Sequence, residues 1–153
     1  MQRLFMADLL RREIQYVTRL ADVLQREYQA LQGRDAAQVE HCTADKQNLC
    51  AHIEELGQQR TTLLSGMGYA SSAAGVGAYL RTHAEENRLW QELLHLTAQC
   101  RRQNQINGSL VNAGRSHTRR ILSILRGQPS DGELYGPAGD ARRADDSQAL
   151  ATA

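Results

Sequence analysis

The feature that most constrains this chain is a seam of residues spaced alternately by three and four through its last amphipathic stretch, residues 84–126. This spacing is typical of a helix that packs along one face against other helices. Two earlier amphipathic stretches, 3–32 and 35–65, reach ~45 Å as helices, whereas the last reaches ~60 Å. We therefore expect apolar surface on the last helix beyond its helical partners. The seam positions are Leu89, Leu93, Leu96, Cys100, Gln103, Asn107, Leu110, Gly114, His117, Ile121 and Ile124.

The composition and the first stretch point to a helical bundle. With one Trp, one Phe and two Pro in 153 residues, the chain favours long helices over a sheet. Its first stretch has an unbroken seam, and Leu9, Leu20 and Val23 widen that seam beyond what two helices need. We predict an all-α fold, an antiparallel three-helix bundle or coiled coil with an extended last helix. The first seam is Leu10, Ile14, Val17, Ala21, Leu24, Tyr28 and Leu31.

Turn residues separate the predicted helices. Gly33 is expected to supply a left-handed stop, and Asp35 to cap the second helix with Gln38 in the capping-box position. So short a link requires an antiparallel hairpin. Residues 65–77 contain four glycines and predict a flexible connector with at most a short helix near 76–81.

The end of the chain differs in composition from the rest. Gly127 and Pro129 should stop the last helix, and Gly, Pro, Asp, Ser and Ala dominate after it. We therefore predict a helical domain over residues 1–127 and a flexible, disordered tail over residues 128–153.

Charge and cysteine usage indicate a cytoplasmic protein. The formal net charge is +1, no apolar run approaches the ~20 residues of a membrane span, and the start lacks a signal-peptide layout. Cys42, Cys50 and Cys100 lie within helical patterns and are odd in number, which favours buried thiols in a reducing compartment. We expect no direct membrane insertion.

No pattern predicts a metal, a cofactor or catalysis. His41, Cys42 and Asp45 lie on adjacent turns, but no second helix repeats the ligand spacing of a helical metal site. There is no phosphate-binding glycine loop, no dinucleotide fingerprint and no serine elbow. Basic residues such as Arg115 and Arg119 could contact nucleic acid, but interleaved aromatics are absent, so a solvated or carboxylate-binding face is favoured.

Asn104, Asn107 and Gly108 lie in the middle of the last stretch, where the polar residues Gln103 and Asn107 occupy seam positions that should be apolar. Polar groups at such positions either fix the register of a bundle or mark an adjustable joint, and Gly108 costs about 1 kcal/mol relative to Ala. On the second interpretation, the joint separates a bundled half from an exposed half of the helix. The exposed half would offer another protein a broad apolar face: Leu110, Val111, Ile121, Leu122, Ile124 and Leu125.

Several short sequence fragments, each present once, follow one another along the chain in a definite order and spacing. They are Leu9 to Glu13 (Leu-Leu-x-x-Glu), Leu31 with Asp35, the series Lys46, Leu49, Ile53, Leu56 and Arg60, then Asn104-x-x-Asn107-Gly108-x-Leu110, and Tyr135-Gly136-Pro137-Ala138-Gly139. In this order and spacing, residues 4–139 resemble the FlgN-type flagellar export chaperones.

The resemblance implies a small helical cytoplasmic protein without catalytic activity. Such chaperones bind the C-terminal helical segments of hook-associated proteins through their last amphipathic helix, prevent premature assembly and deliver these clients to the flagellar type III export gate. The resemblance also implies that Tyr135 docks to the cytoplasmic domain of the gate membrane protein. A monomer or a weak homodimer is expected. Two alternatives stay open, a structural coiled-coil homo-oligomer and a chaperone or adaptor of a virulence-type secretion system.

Overall fold

The computed structural model describes residues 2–126, which form four helices and no strand in that range. They are α1 (Gln2–Gln32), α2 (Ala36–Gly66), α3 (Ala73–Leu80) and α4 (Ala84–Leu125). The helices α1 and α2 each have 31 residues, whereas α4 has 42. The prediction of an all-α bundle with a longer last helix is thus confirmed.

A three-residue turn joins α1 to α2. The main-chain N–H of Asp35 donates to the carbonyl oxygen of Ala30 at 2.9 Å, and the Asp35 side chain accepts from the N–H of Gln38 at 3.1 Å, as a cap does. The left-handed residue is Arg34, with φ of 54°, and not Gly33 as predicted. The reason is that the closing bond to Ala30 comes from Asp35, which places the residue before Asp35 in the left-handed position.

The predicted connector is a packed element. Gly68, with φ of 86°, ends α2, and α3 begins a few residues later. A Cβ atom on Gly75 would lie 1.8 Å from the carbonyl oxygen of Ala70, so this close approach requires glycine. Tyr79 is only 2% exposed and belongs to the core. The short helix expected near 76–81 therefore starts earlier and contributes a buried aromatic ring.

The core lies between α1, α2 and α4. The helix α2 runs antiparallel to α1, because Glu13 meets Arg60 and Glu27 meets Lys46. The helix α4 runs parallel to α1, because Val17 meets Cys100 and Leu24 meets Asn107. Leu10, Val17 and Leu24 of the first seam are buried at intervals of seven residues, and the other four seam residues are half-buried. The core residues are Met6, Ala7, Leu10, Val17, Leu24, Leu64, Tyr79, Leu89, Leu93 and Cys100.

Within the described residues the chain divides into two units, the first ending at Leu110 and the second beginning at Val111. This boundary falls within α4, whereas the predicted division between 1–127 and 128–153 lies at the limit of the described residues and stays a prediction. Tyr135 lies outside the described residues. In the described part of the chain, no helix is long and apolar enough to cross a membrane.

Candidate functional site

Asn107 is buried in the core of the first unit and is 1% exposed. Its Nδ2 donates to the carbonyl oxygen of Leu24 and to Oε1 of Glu27, both at 2.9 Å. Its Oδ1 accepts from Nε2 of Gln103 at 2.9 Å. The amide thus satisfies both its donors and its acceptor, and it fixes the height of α4 against α1.

The carboxylate of Glu27, which accepts from Asn107, also connects α1 to α2. Nζ of Lys46 lies 2.9 Å from Oε2 and 3.1 Å from Oε1 of Glu27, and 3.5 Å from Oδ1 of Asn104. The Glu27 side chain is only 6% exposed, so Lys46 balances a charge that water cannot solvate well. We call Glu27, Lys46, Asn104 and Asn107 the Glu27 cluster, which draws on all three long helices.

A second cluster joins the same helices around Arg60. Its Nε donates to Oε1 of Glu13 at 2.7 Å, and its Nη2 donates to Oε2 at 3.3 Å. The guanidinium carbon lies 4.7 Å from the ring centroid of Trp90 on α4. A guanidinium group is planar and carries several N–H donors, so it can bind a carboxylate at two points and stack on an aromatic ring. We call Glu13, Arg60 and Trp90 the Arg60 cluster.

The two clusters are separated by the same number of residues on every helix. Fourteen residues are two heptads, so equivalent positions return to the same helix face about 21 Å further along. Most fragments of the family resemblance therefore contribute to one structural pattern. Apolar periodicity alone does not identify Glu27 or Trp90, although the equal spacing could have indicated them. The pairs are Glu13 with Glu27, Arg60 with Lys46, and Trp90 with Asn104.

The predicted joint residues have different environments. Asn107 is buried, whereas Asn104 and Gly108 are exposed, and nothing lies within 4 Å of a Cβ atom placed on Gly108. The bonds of Asn107 favour the interpretation as a register lock. The two compact units also meet three residues later, at Leu110 and Val111. A joint formed by Asn104, Asn107 and Gly108 remains a prediction.

The second unit carries an apolar stripe on the last turns of α4. Four of its large aliphatic side chains are exposed: 43% for Ile121, 43% for Leu122, 63% for Ile124 and 77% for Leu125. Aliphatic side chains this exposed and this close together are typical of a surface that binds another protein. We call Val111, Ile121, Leu122, Ile124 and Leu125 the α4 stripe, in which Val111 is half-buried and the other four are exposed. The sixth residue that the sequence predicts, the half-buried Leu110, belongs to the first unit.

Among residues 2–126, the cysteines and histidines do not form a cluster that could hold a metal ion. Burial raises the pKa of the Cys42 and Cys100 thiols, so these groups stay protonated at neutral pH. The prediction of a buried thiol is wrong for Cys50, which is exposed because it lies on the outer face of α2. Nε2 of His41, an exposed side chain, lies 3.8 Å from Oδ2 of Asp45. Within residues 2–126, no group of three or more His, Cys, Asp or Glu side chains is arranged to hold a metal ion.

Comparisons with known proteins show the family to which the chain belongs. The family model described as FlgN protein matches residues 3–143. A crystal structure from Pseudomonas aeruginosa that bears the name flagella synthesis protein FlgN is 27% identical in sequence, with a TM-score of 0.61. The alignment covers 77% of this chain and 93% of that chain. No curated protein matches the sequence.

Proposed function

The chain belongs to the FlgN family, and on that premise we propose that it is a cytoplasmic flagellar type III export chaperone. Its clients are the C-terminal helical segments of hook-associated proteins. By holding these segments, the chaperone prevents premature assembly of its clients and delivers them to the export gate. It performs no catalysis, because an export client must be held and released without covalent change.

The exposed α4 stripe is the observation that carries this proposal. A helical client can lay its own apolar face on it, as amphipathic helices do on apolar grooves. Burying three or four such side chains at ~1.5–3 kcal/mol each is enough, after the cost of association, for a micromolar or tighter complex. The two clusters support the proposal because they fix α4 in the bundle without using the residues of the stripe.

Docking to the gate is assigned to Tyr135. This part of the proposal rests on the family resemblance, since Tyr135 lies outside the described residues. A Tyr ring combines apolar area with one hydroxyl group, which suits an anchor in a shallow pocket. With client and gate contacts on separate residues, the chaperone can hold both partners at once.

Calorimetry with the full chain and the C-terminal segments of hook-associated proteins tests client binding. The double variant Ile121→Asp and Ile124→Asp should weaken binding at least about hundredfold, because two buried aliphatic contacts are lost. Its helix content by circular dichroism should stay nearly unchanged. The matched control is Leu94→Asp with Ile106→Asp, which alters two exposed aliphatics of α4 outside the stripe. Equal affinity for both double variants would contradict the assignment of this surface.

Sedimentation across concentrations tests the alternative of a structural homo-oligomer. A monomer or a weak dimer leaves the α4 stripe available to a client. A permanent dimer that dissociates in the Ile121→Asp and Ile124→Asp variant would mean that the stripe pairs with its own copy. Identification of the client co-purified from cells separates flagellar from virulence-type secretion.

A further inference from the structure

The segment of α4 that carries the exposed stripe is basic. Between Glu92 and Asp131 the sequence contains six arginines and no Asp or Glu. Four of these arginines fall in residues 111–126, beside the exposed aliphatic side chains. They are Arg115, Arg119, Arg120 and Arg126, and all four are exposed.

Helical geometry places these arginines on both edges of the stripe. At 3.6 residues per turn, Arg115, Arg119 and Arg126 fall along one edge, and Arg120 falls on the other. Among residues 2–126, no carboxylate pairs with any of them, whereas four arginines of the first unit pair with acids: Arg11, Arg26, Arg60 and Arg88. The stripe therefore has an apolar centre and two cationic borders whose charge is not balanced within the described residues.

From this arrangement we infer that the stripe selects an acidic amphipathic helix, with carboxylates on the borders of its own apolar face. This inference rests on the proposed function and specifies the chemistry of the client segment. The fork of a guanidinium binds carboxylates at two points, so matched borders would orient the client as well as attract it. Opposite charge also speeds the encounter, and that acceleration falls with added salt.

Other occupants fit the segment less well. A second copy of this chain would bring four more arginines against these four, and like charges at an interface oppose association. Helices that lie in a membrane surface usually present aromatic side chains at the lipid headgroups, and residues 111–126 contain no Phe, Trp or Tyr. The aliphatic spacing by three and four instead suits a partner helix.

Binding of synthetic helices to the full chain tests the inference. Three peptides share one apolar face of Leu and Ile and carry Glu, Gln or Lys on its borders. We expect the Glu peptide to bind at least about tenfold more tightly than the Gln peptide at low salt, and the Lys peptide to bind most weakly. The preference for Glu over Gln should shrink as ionic strength rises.

Charge substitutions in the protein provide the second arm. Arg119→Gln with Arg120→Gln should weaken binding of the Glu peptide by roughly fivefold and leave the Gln peptide unchanged. The matched control, Arg101→Gln with Arg102→Gln, removes an adjacent exposed pair from the same helix in the first unit and should have no effect. Arg119→Glu with Arg120→Glu should shift the preference toward the Lys peptide.

Three results would overturn the inference. The first is equal affinity for the Glu, Gln and Lys peptides. The second is binding to vesicles of anionic phospholipid without binding to any peptide. The third is a hook-associated segment that binds independently of salt and of the Arg119 and Arg120 substitutions, in which case the proposed function stands and only the acidic chemistry fails. If the protein prefers the Glu peptide but does not bind hook-associated segments, the acidic chemistry stands and the proposed function fails.

Discussion

The side-chain amide of Asn107 donates a hydrogen bond to the main-chain carbonyl oxygen of Leu24, 2.9 Å away, and so joins α4 to α1 inside the core. The same nitrogen also donates to the Glu27 carboxylate, which Lys46 holds from α2. These hydrogen bonds explain why the polar Asn107 occupies a seam position where an apolar residue is expected. Asn107 fixes the register of three helices just before the second compact unit begins.

Asn107→Leu is expected to destabilise the protein by about 1–3 kcal/mol, measured by urea unfolding. The substitution removes three hydrogen bonds and leaves the buried carboxylate of Glu27 with one donor fewer. Gly108→Ala is the matched control. Its Cβ meets nothing within 4 Å, so it should raise the free energy of unfolding by up to about 1 kcal/mol. A more stable Asn107→Leu variant would show that the amide is not needed for the register.

Arg60→Ala should lower the free energy of unfolding by about 3 kcal/mol or more, because Glu13 is 3% exposed and would lose its partner. Adding Glu13→Gln should recover part of that loss, since no buried charge then remains. Arg11→Ala serves as the comparison. Arg11 pairs with Asp8 and Glu85 at the surface, so its loss should cost less than about 1 kcal/mol. Similar losses for Arg60→Ala and Arg11→Ala would refute a distinct role for the Arg60 cluster.

Gly75→Ala should destabilise the protein by about 1–3 kcal/mol, because the new methyl group would overlap the carbonyl of Ala70. Gly77→Ala lies in the same short helix and meets nothing within 4 Å, so it should be neutral or stabilising by up to about 1 kcal/mol. Thermal unfolding of the two variants in parallel measures the difference. If both variants unfold at the same temperature, α3 does not pack closely against Ala70.

Tyr135→Ala should leave the fold and the client affinity intact, yet weaken binding to the cytoplasmic domain of the export gate and reduce secretion of hook-associated proteins. The reason is that an aromatic anchor is lost without any change in the α4 stripe. Tyr135→Phe is the control, because it keeps the ring and removes only the hydroxyl. A fall in bundle stability with unchanged gate binding would instead mean that Tyr135 packs on the bundle.

The sequence by itself determined the helices and their apolar faces. Seam spacing depends only on 3.6 residues per turn, so the long helices, the extra length of α4 and the cap at Asp35 could be predicted from local pattern. The exposed aliphatics Ile121, Leu122, Ile124 and Leu125 were also identified in this way. The fragments that carry the family resemblance could also be identified from the sequence. Their role in joining the helices could not.

The tertiary structure alone decided which polar residues meet. Lys46 and Arg60 look like interruptions of an apolar seam until α1 places Glu27 and Glu13 opposite them. Asn107 could equally be a lock or a joint until Leu24 is found within hydrogen-bonding distance. Partners such as these are far apart in the sequence, and their pairing depends on the heights at which packed helices meet. Local periodicity carries no information about those heights, because it describes each helix separately.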